Sequence, residues 1–138
     1  MVKVIMADKG AGKTKNIIEL VTKAATEETG NVICIESGAK LTYDIPYNIR
    51  LVEASHYNFG TYEFLKGFIS GLYAGNYDIT HIFIDGLFKV LNGESNPVLR
   101  VEEFLDWCER FSEKEGVKFT IAMSTAAGDA SPGVRKYL

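Results

Sequence analysis

The sequence has few cysteines, and their placement excludes two common ways of stabilising a small protein. Cys34 and Cys108 are its two cysteines, and they lie far apart in separate apolar segments. This spacing fits neither a disulfide framework nor a zinc site, since neither cysteine belongs to a C-x-x-C pair. It predicts two reduced, buried thiols in a cytosolic protein.

The sequence also has no excess of basic residues. Its 15 Lys and Arg residues stand against 18 Asp and Glu residues, which gives a formal net charge of -3. Broad, sequence-independent binding to DNA or RNA depends on Lys and Arg side chains that neutralise phosphates, so this composition argues against it. Any phosphate group that the chain binds must be held locally.

Long hydrophobic runs are missing as well. No stretch approaches the roughly 18 apolar residues that a membrane-spanning helix needs, and the apolar run in MVKVIMADKG is too short for a secretory signal. We therefore expect a cytoplasmic protein with no membrane span. Its 138 residues are enough for one domain with a substantial core.

Short apolar runs alternate with segments of helical periodicity along the chain. This pattern predicts strands at 2–7, 31–37, 49–54, 81–86 and 118–124, helices at 13–29, 61–74 and 97–115, and a short helix in SPGVRKYL. Alternating strands and helices pair the strands in parallel through right-handed crossovers. The predicted fold is an α/β three-layer sandwich around a mainly parallel sheet of about five strands, in a single domain at 1–138.

Several residues mark the predicted helix ends and interiors. Asn96 is a candidate N-cap followed by Pro97, while Gly30 and Gly116 are candidate C-terminal stops. The line of Gly67 and Gly71 lies inside a predicted helix, where each glycine costs about 1 kcal/mol relative to alanine. We expect those two glycines to permit close packing of the helix on the sheet.

The segment ADKGAGKT, residues 7–14, nearly matches the phosphate-binding signature G-x-x-x-x-G-K-[ST], with Ala7 at the first glycine position. It lies between a predicted strand and a predicted helix, which is the context that this signature requires. Backbone N–H groups of such a loop surround phosphate oxygens, and the helix N-terminus faces them. The predicted cofactor-binding residues are Asp8, Lys9, Gly10, Ala11, Gly12, Lys13, Thr14 and Lys15.

Asp85 ends the buried strand HIFID and completes this predicted site. A carboxylate there can hold the water shell of a magnesium ion opposite the Thr14 hydroxyl, while Lys13 reaches the terminal phosphates. We therefore expect Lys13 and Asp85 to act in catalysis, and Thr14 and Asp85 to position the metal. Ligands of such sheets bind beyond the carboxyl ends of the strands, where the predicted strands also place Glu36, Glu53 and Ser124.

With ADKGAGKT and HIFID in this order, the chain resembles the P-loop NTPases. ADKGAGKT resembles Walker A, in which that superfamily accepts alanine at the first position, and HIFID resembles Walker B. The strand pattern resembles the RecA-like branch, which implies that a later strand lies between the two motif strands and that Ser124 or Thr125 senses the γ-phosphate. The resemblance implies binding of Mg-ATP or another nucleoside triphosphate.

The chain also resembles short uncharacterised bacterial P-loop proteins that are sometimes labelled twitching-motility ATPases. The secretion motors behind that label have an additional domain, so we do not carry their motor function over. Thymidine kinase has a similar layout, but its zinc-binding cysteines and its Asp-Glu pair are missing from this sequence. A thymidine-kinase-like phosphotransferase is therefore a distant alternative.

RecA-like hydrolases usually have a glutamate directly after the Walker B aspartate, and this chain has Gly86 there. Glu36, Glu53 and Glu94 are candidate substitutes, and their spacing does not select one of them. The resemblance thus implies weak or partner-dependent hydrolysis. The alternative is a non-catalytic, nucleotide-responsive interaction module, and the sequence leaves open a protein partner or a homo-oligomer.

Three aromatic residues, Tyr57, Phe59 and Tyr62, are candidates for stacking on a base, although packing in the core or at its rim is the favoured interpretation. The spacing of Asp106 and Arg110 predicts a surface ion pair on a helix.

Overall fold

The computed structural model describes residues 1–6, 13–38, 44–57, 60–124 and 130–138, with the backbone alone for Lys13 and Thr14. The predicted phosphate-binding residues from Asp8 to Gly12 lie outside the described residues. Phe59 and Thr125 lie outside them too.

The described residues form five strands and five helices. The strands are β1 (Val2–Met6), β2 (Asn31–Glu36), β3 (Arg50–Glu53), β4 (Ile79–Asp85) and β5 (Lys118–Met123). The helices are α1 (Lys13–Glu27), α2 (Tyr62–Gly75), α3 (Leu87–Val90), α4 (Val101–Glu115) and α5 (Pro132–Arg135), with 3-10 turns at Ala54–His56 and Pro97–Arg100. All five predicted strands are confirmed to within two residues at each end.

The strands form one parallel sheet in the order β1-β5-β4-β2-β3. β5 is last in the sequence and lies between β1, which precedes the ADKGAGKT motif, and β4, which ends in Asp85. This is the strand position that the resemblance to the RecA-like branch implied. All five carboxyl ends therefore meet at one edge, which we call the carboxyl edge.

Helices cover both faces of the sheet. Ile17 and Val21 of α1 pack on Cys34 and Phe83 at one face. The other face packs against buried residues of α2 and α4, among them Leu65, Ile69, Phe104 and Leu105. The predicted three-layer α/β sandwich is thus confirmed, and both cysteines are buried and free, as expected.

The described helices are short. α1 and α4 have 15 residues each, and within the described ranges no helix has the length and apolar character to cross a membrane. The expectation of no membrane span agrees with this finding.

The start of α4 differs from the prediction. The Asn96 side chain caps nothing, because a 3-10 turn at Pro97–Arg100 comes before the helix, which begins at Val101. The buried hydroxyl of Tyr62 donates a hydrogen bond to the carbonyl of Pro97 and holds this turn in place. A tertiary contact therefore overrides a local capping signal.

The glycines also have other roles than those predicted. Gly67 and Gly71 face solvent, and an added Cβ at either would meet nothing within 4 Å, so the prediction of close packing on the sheet was wrong. Close packing occurs instead at Gly30, where a Cβ would lie 2.3 Å from the carbonyl oxygen of Asp78. Gly116 ends α4 as predicted, with a φ of 73°.

Candidate functional site

Three carboxylates lie side by side at the carboxyl edge. Glu36 is the last residue of β2 and pairs in register with Asp85 of β4 on one side and with Glu53 of β3 on the other. Neighbouring residues in register on parallel strands point to the same face of a sheet. The side chains therefore form a row of three acidic groups, which we call the carboxylate row.

This row points to the face that α1 covers. Cys34 and Phe83, two positions before Glu36 and Asp85, pack on α1, and side chains alternate between faces with a period of two. The carboxylate of Glu28, just after α1, accepts a hydrogen bond of 2.7 Å from the ammonium group of Lys118, the first residue of β5. α1 therefore ends at the amino edge of the sheet and begins, at Lys13, toward the carboxyl edge.

A small side chain lies on the strand between Asp85 and β1. The residue of β5 that pairs with Asp85 is Ala122, and Ala122 pairs in turn with Ile5 of β1. Within the described strands, the side chain between Asp85 and Ile5 on the α1 face is therefore the small one of Ala122. The motif residues 7–12 join that strand end to α1.

Asp85 has a buried side-chain oxygen without a hydrogen-bond partner among the described residues. It is 3% exposed, and its Oδ2 atom accepts no hydrogen bond from any residue that the structure describes. A buried carboxylate without a partner costs several kcal/mol, so such groups usually pair with a charge or coordinate a metal. Asp85 thus has the burial and the free acceptor that a cation site requires.

Glu36 is 0% exposed and lies beside Asp85. Beneath both carboxylates, burial and then the charges of Asp85 and Glu36 raise the pKa of the Cys34 thiol. The thiol consequently stays protonated at neutral pH. Cys34 is therefore a core residue here, since the thiolate is the nucleophilic form of cysteine.

The other candidate glutamates are occupied elsewhere. Glu53 is partly exposed and lies 3.1 Å from His56. Glu94 accepts a hydrogen bond from the backbone N–H of Tyr62 at 3.0 Å and lies 3.7 Å from Arg100. Among the three candidate glutamates, Glu36 is the one that is fully buried next to Asp85. The strand register distinguishes it from the other two, whereas sequence spacing does not.

The backbone after Asp85 explains why no glutamate follows it. Gly86 has a φ of 76° and leads directly into α3, a four-residue helix that the sequence analysis missed. Glutamate rarely adopts this left-handed conformation, whereas glycine does so without steric cost. A carboxylate at this position would conflict with the local turn.

Of the remaining predicted site residues, Lys15 lies exposed in the first turn of α1. Ser124 directly follows β5 at the carboxyl edge and is half-buried. Tyr62 lies in the core, which confirms the packing interpretation, and Arg110 pairs with Asp106 as predicted.

A preformed metal cage is absent from the described part of the chain, where no group of three or more His, Cys, Asp or Glu residues could hold an ion. Magnesium does not need one, because it keeps several waters and binds through one or two carboxylates together with substrate phosphates. Asp85 fits this mode of binding.

Comparison with known proteins adds no assignment. No protein-family model and no curated protein matches this sequence.

Proposed function

We propose that this chain binds a magnesium–nucleoside triphosphate, with ATP as the first candidate. The observation that carries the proposal is the buried Asp85 carboxylate with its free Oδ2, at the edge where α1 begins within the last two residues of the ADKGAGKT motif. The motif supplies groups for phosphates, and Asp85 supplies an acceptor for the cation that accompanies them.

Each residue has a defined part in this proposal. Backbone N–H groups from Asp8 to Gly12 would donate to phosphate oxygens, and the positive end of α1 would favour their charge. Lys13 would bind the β- and γ-phosphates, and Lys15 would add positive charge nearby. The Thr14 hydroxyl and Asp85 would hold the hydrated metal, which neutralises charge on the phosphates when bound.

Hydrolysis by this site is expected to be slow or dependent on a partner. Gly86 occupies the position of the usual catalytic glutamate, and its positive φ disfavours any side chain there. Glu36 is the best-placed substitute to orient or deprotonate a water, because it lies beside Asp85 on the same face. The same Gly86 favours the second candidate, a non-catalytic module whose nucleotide occupancy changes a partner-binding surface.

Calorimetric titration with Mg-ATP tests nucleotide binding. We expect saturable binding to the unmodified chain and a loss of at least about tenfold in affinity for Lys13→Ala, the size of one lost charge-assisted contact. Lys23→Ala, which removes an exposed lysine ten residues further along α1, is the matched control and should bind normally. No binding at millimolar nucleotide, or unchanged affinity in Lys13→Ala, would overturn the proposal.

Single-turnover phosphate release separates the two candidates. A rate at or above ~0.1 to 1 per second lies toward the low end of enzyme turnover and favours the NTPase. Tight binding with a rate far below this range favours the nucleotide-responsive module.

A further inference from the structure

A cavity of about 300 Å³ opens at the carboxyl edge, on the sheet face opposite α1. It is lined by Met6 and Met123, the last residues of β1 and β5, and by Phe88 and Val134. Because Met6 directly precedes the motif at 7–14, the cavity adjoins the proposed phosphate site along the chain. It is at the small end of ligand pockets, so it suits a part of a ligand.

The rim of this cavity exposes two aliphatic side chains. Val98 is 54% exposed and Leu99 is 78% exposed, and both lie on the 3-10 turn at Pro97–Arg100. Exposed apolar side chains beside a cavity indicate a ligand-binding surface, whereas an isolated exposed leucine does not. We call Val98 and Leu99 the aliphatic rim.

The turn that carries the aliphatic rim is fixed at both ends. At one end the Tyr62 hydroxyl donates to the carbonyl of Pro97. At the other, the Arg100 guanidinium lies 3.1 Å from Glu63 and 3.7 Å from Glu94, and also lies over the ring of Tyr62. The rim is thus held in place before any ligand binds, which reduces the entropy lost on binding.

Charge in the cavity argues against a phosphate ligand. Among the described residues that line it, none is a lysine or an arginine, and Glu102 is the one charged side chain. The Glu102 carboxylate accepts a hydrogen bond from the Ser131 hydroxyl and retains further acceptor capacity. Apolar walls with one carboxylate acceptor suit a flat heteroaromatic ring that carries N–H donors.

We propose that this cavity receives the base of the nucleotide, with the aliphatic rim over the ring and Glu102 at its N–H edge. The inference rests on the proposed function, because it assumes that the phosphates bind at residues 8–14. It adds a prediction that the phosphate-binding motif does not make: the base itself contributes to affinity through residues near position 100.

Inorganic tripolyphosphate is the probe that isolates this contribution, because it carries the phosphates without a base. Calorimetry should be done with Mg-ATP, Mg-GTP and Mg-tripolyphosphate. Whichever of the two nucleotides binds more tightly should have an affinity about 5- to 100-fold higher than that of Mg-tripolyphosphate, which is the range that stacking on one base supports. The double variant Val98→Ser with Leu99→Ser should lose most of this difference. Its affinity for Mg-tripolyphosphate should stay unchanged, since neither residue would contact phosphate.

Tyr47→Ser is the matched control, because Tyr47 is also an exposed apolar side chain but precedes β3 at the amino edge. This variant should keep the difference in affinity between the nucleotide and tripolyphosphate. Equal affinities for the two ligands in the unmodified chain, or a difference that survives in the double variant, would overturn the base site. If Lys13→Ala weakens both ligands in that case, the proposed phosphate site stands alone; if neither ligand binds at all, the proposed function fails first.

Discussion

Glu36 and Asp85 lie directly opposite each other at the ends of β2 and β4, almost fully buried, on the sheet face that α1 covers. Two like charges this close destabilise each other. A cation bound at Asp85 would offset that repulsion, so the binding of metal with nucleotide and the stability of this edge should be linked.

Asp85→Asn should therefore separate stability from binding. Without nucleotide, the free energy of unfolding of the variant should be about 1 kcal/mol higher than that of the unmodified chain, because the substitution removes a buried charge next to Glu36 and keeps the side-chain shape. Its affinity for Mg-ATP should fall by at least about tenfold. Asp78→Asn, at an exposed position before β4, should change neither quantity; a large loss of stability in Asp85→Asn would contradict the role of Asp85 as a cation ligand.

Glu36→Gln should reduce hydrolysis without removing binding. If Glu36 acts on the attacking water, the single-turnover rate should fall by about 100-fold or more, while Mg-ATP affinity changes by less than about threefold. Glu53→Gln is the control, because Glu53 lies on the other side of Glu36 in the carboxylate row. Equal losses in the two variants would show that the row acts through its total charge and not through Glu36.

Two glycine substitutions should change stability in opposite directions. Gly71→Ala should raise the free energy of unfolding by about 1 kcal/mol, because alanine is the better helix former and nothing lies within 4 Å of the added Cβ. Gly30→Ala should lower it, since the new Cβ would lie 2.3 Å from the Asp78 carbonyl oxygen. Urea unfolding of both variants measures these changes, and a destabilised Gly71→Ala would indicate that the outer face of α2 has an unrecognised contact.

His81 should make the fold sensitive to mild acid. Burial lowers the pKa of His81 to about 4 from 6.5, against the opposing influence of Glu28, while Lys118 and the N-terminal ammonium also disfavour the charged form. The unfolded chain therefore binds more protons than the folded chain between about pH 6.5 and pH 4, so stability falls as the pH falls through this window. From pH 7 to pH 5 we expect a loss of about 2 kcal/mol from this group.

The control for this pH effect compares the two histidines. His81 lies with its Nε2 2.9 Å from the Thr120 hydroxyl, inside the fold, whereas the His56 side chain is mostly exposed. Unfolding free energies measured from pH 5 to 7 should lose most of their slope in His81→Gln and keep it in His56→Gln. A wild-type stability that is flat or rises on acidification would contradict the expected direction.

Much of the fold was predictable because each strand is a short apolar run and each long helix has an apolar face. The position of β5 between β1 and β4 followed from the resemblance to the RecA-like branch. The start of α4 did not follow from local signals, because the hydrogen bond from Tyr62 to Pro97 joins residues 35 positions apart. Local capping rules contain no information about such a contact.

The site was predictable in part. Asp85 stood out as the residue at the end of a hydrophobic strand; the structure shows it buried with a free acceptor, and its role as a cation ligand stays a prediction. The selection of Glu36 from three glutamates needed the register between β2 and β4, which depends on how distant segments pair. The predicted contacts of Asp8 to Gly12 lie outside the described residues and stay predictions.

The position of β5 between β1 and β4 also limits the order in which the described sheet can assemble during synthesis. In the described sheet, β1 pairs with β5 alone, so its link to β4 and Asp85 passes through residues 118–123. These residues leave the ribosome after both the motif and the aspartate have done so. A nascent chain therefore cannot complete the native pairing of its two motif strands until β5 has emerged, and the proposed nucleotide would stabilise the fold only from that stage on.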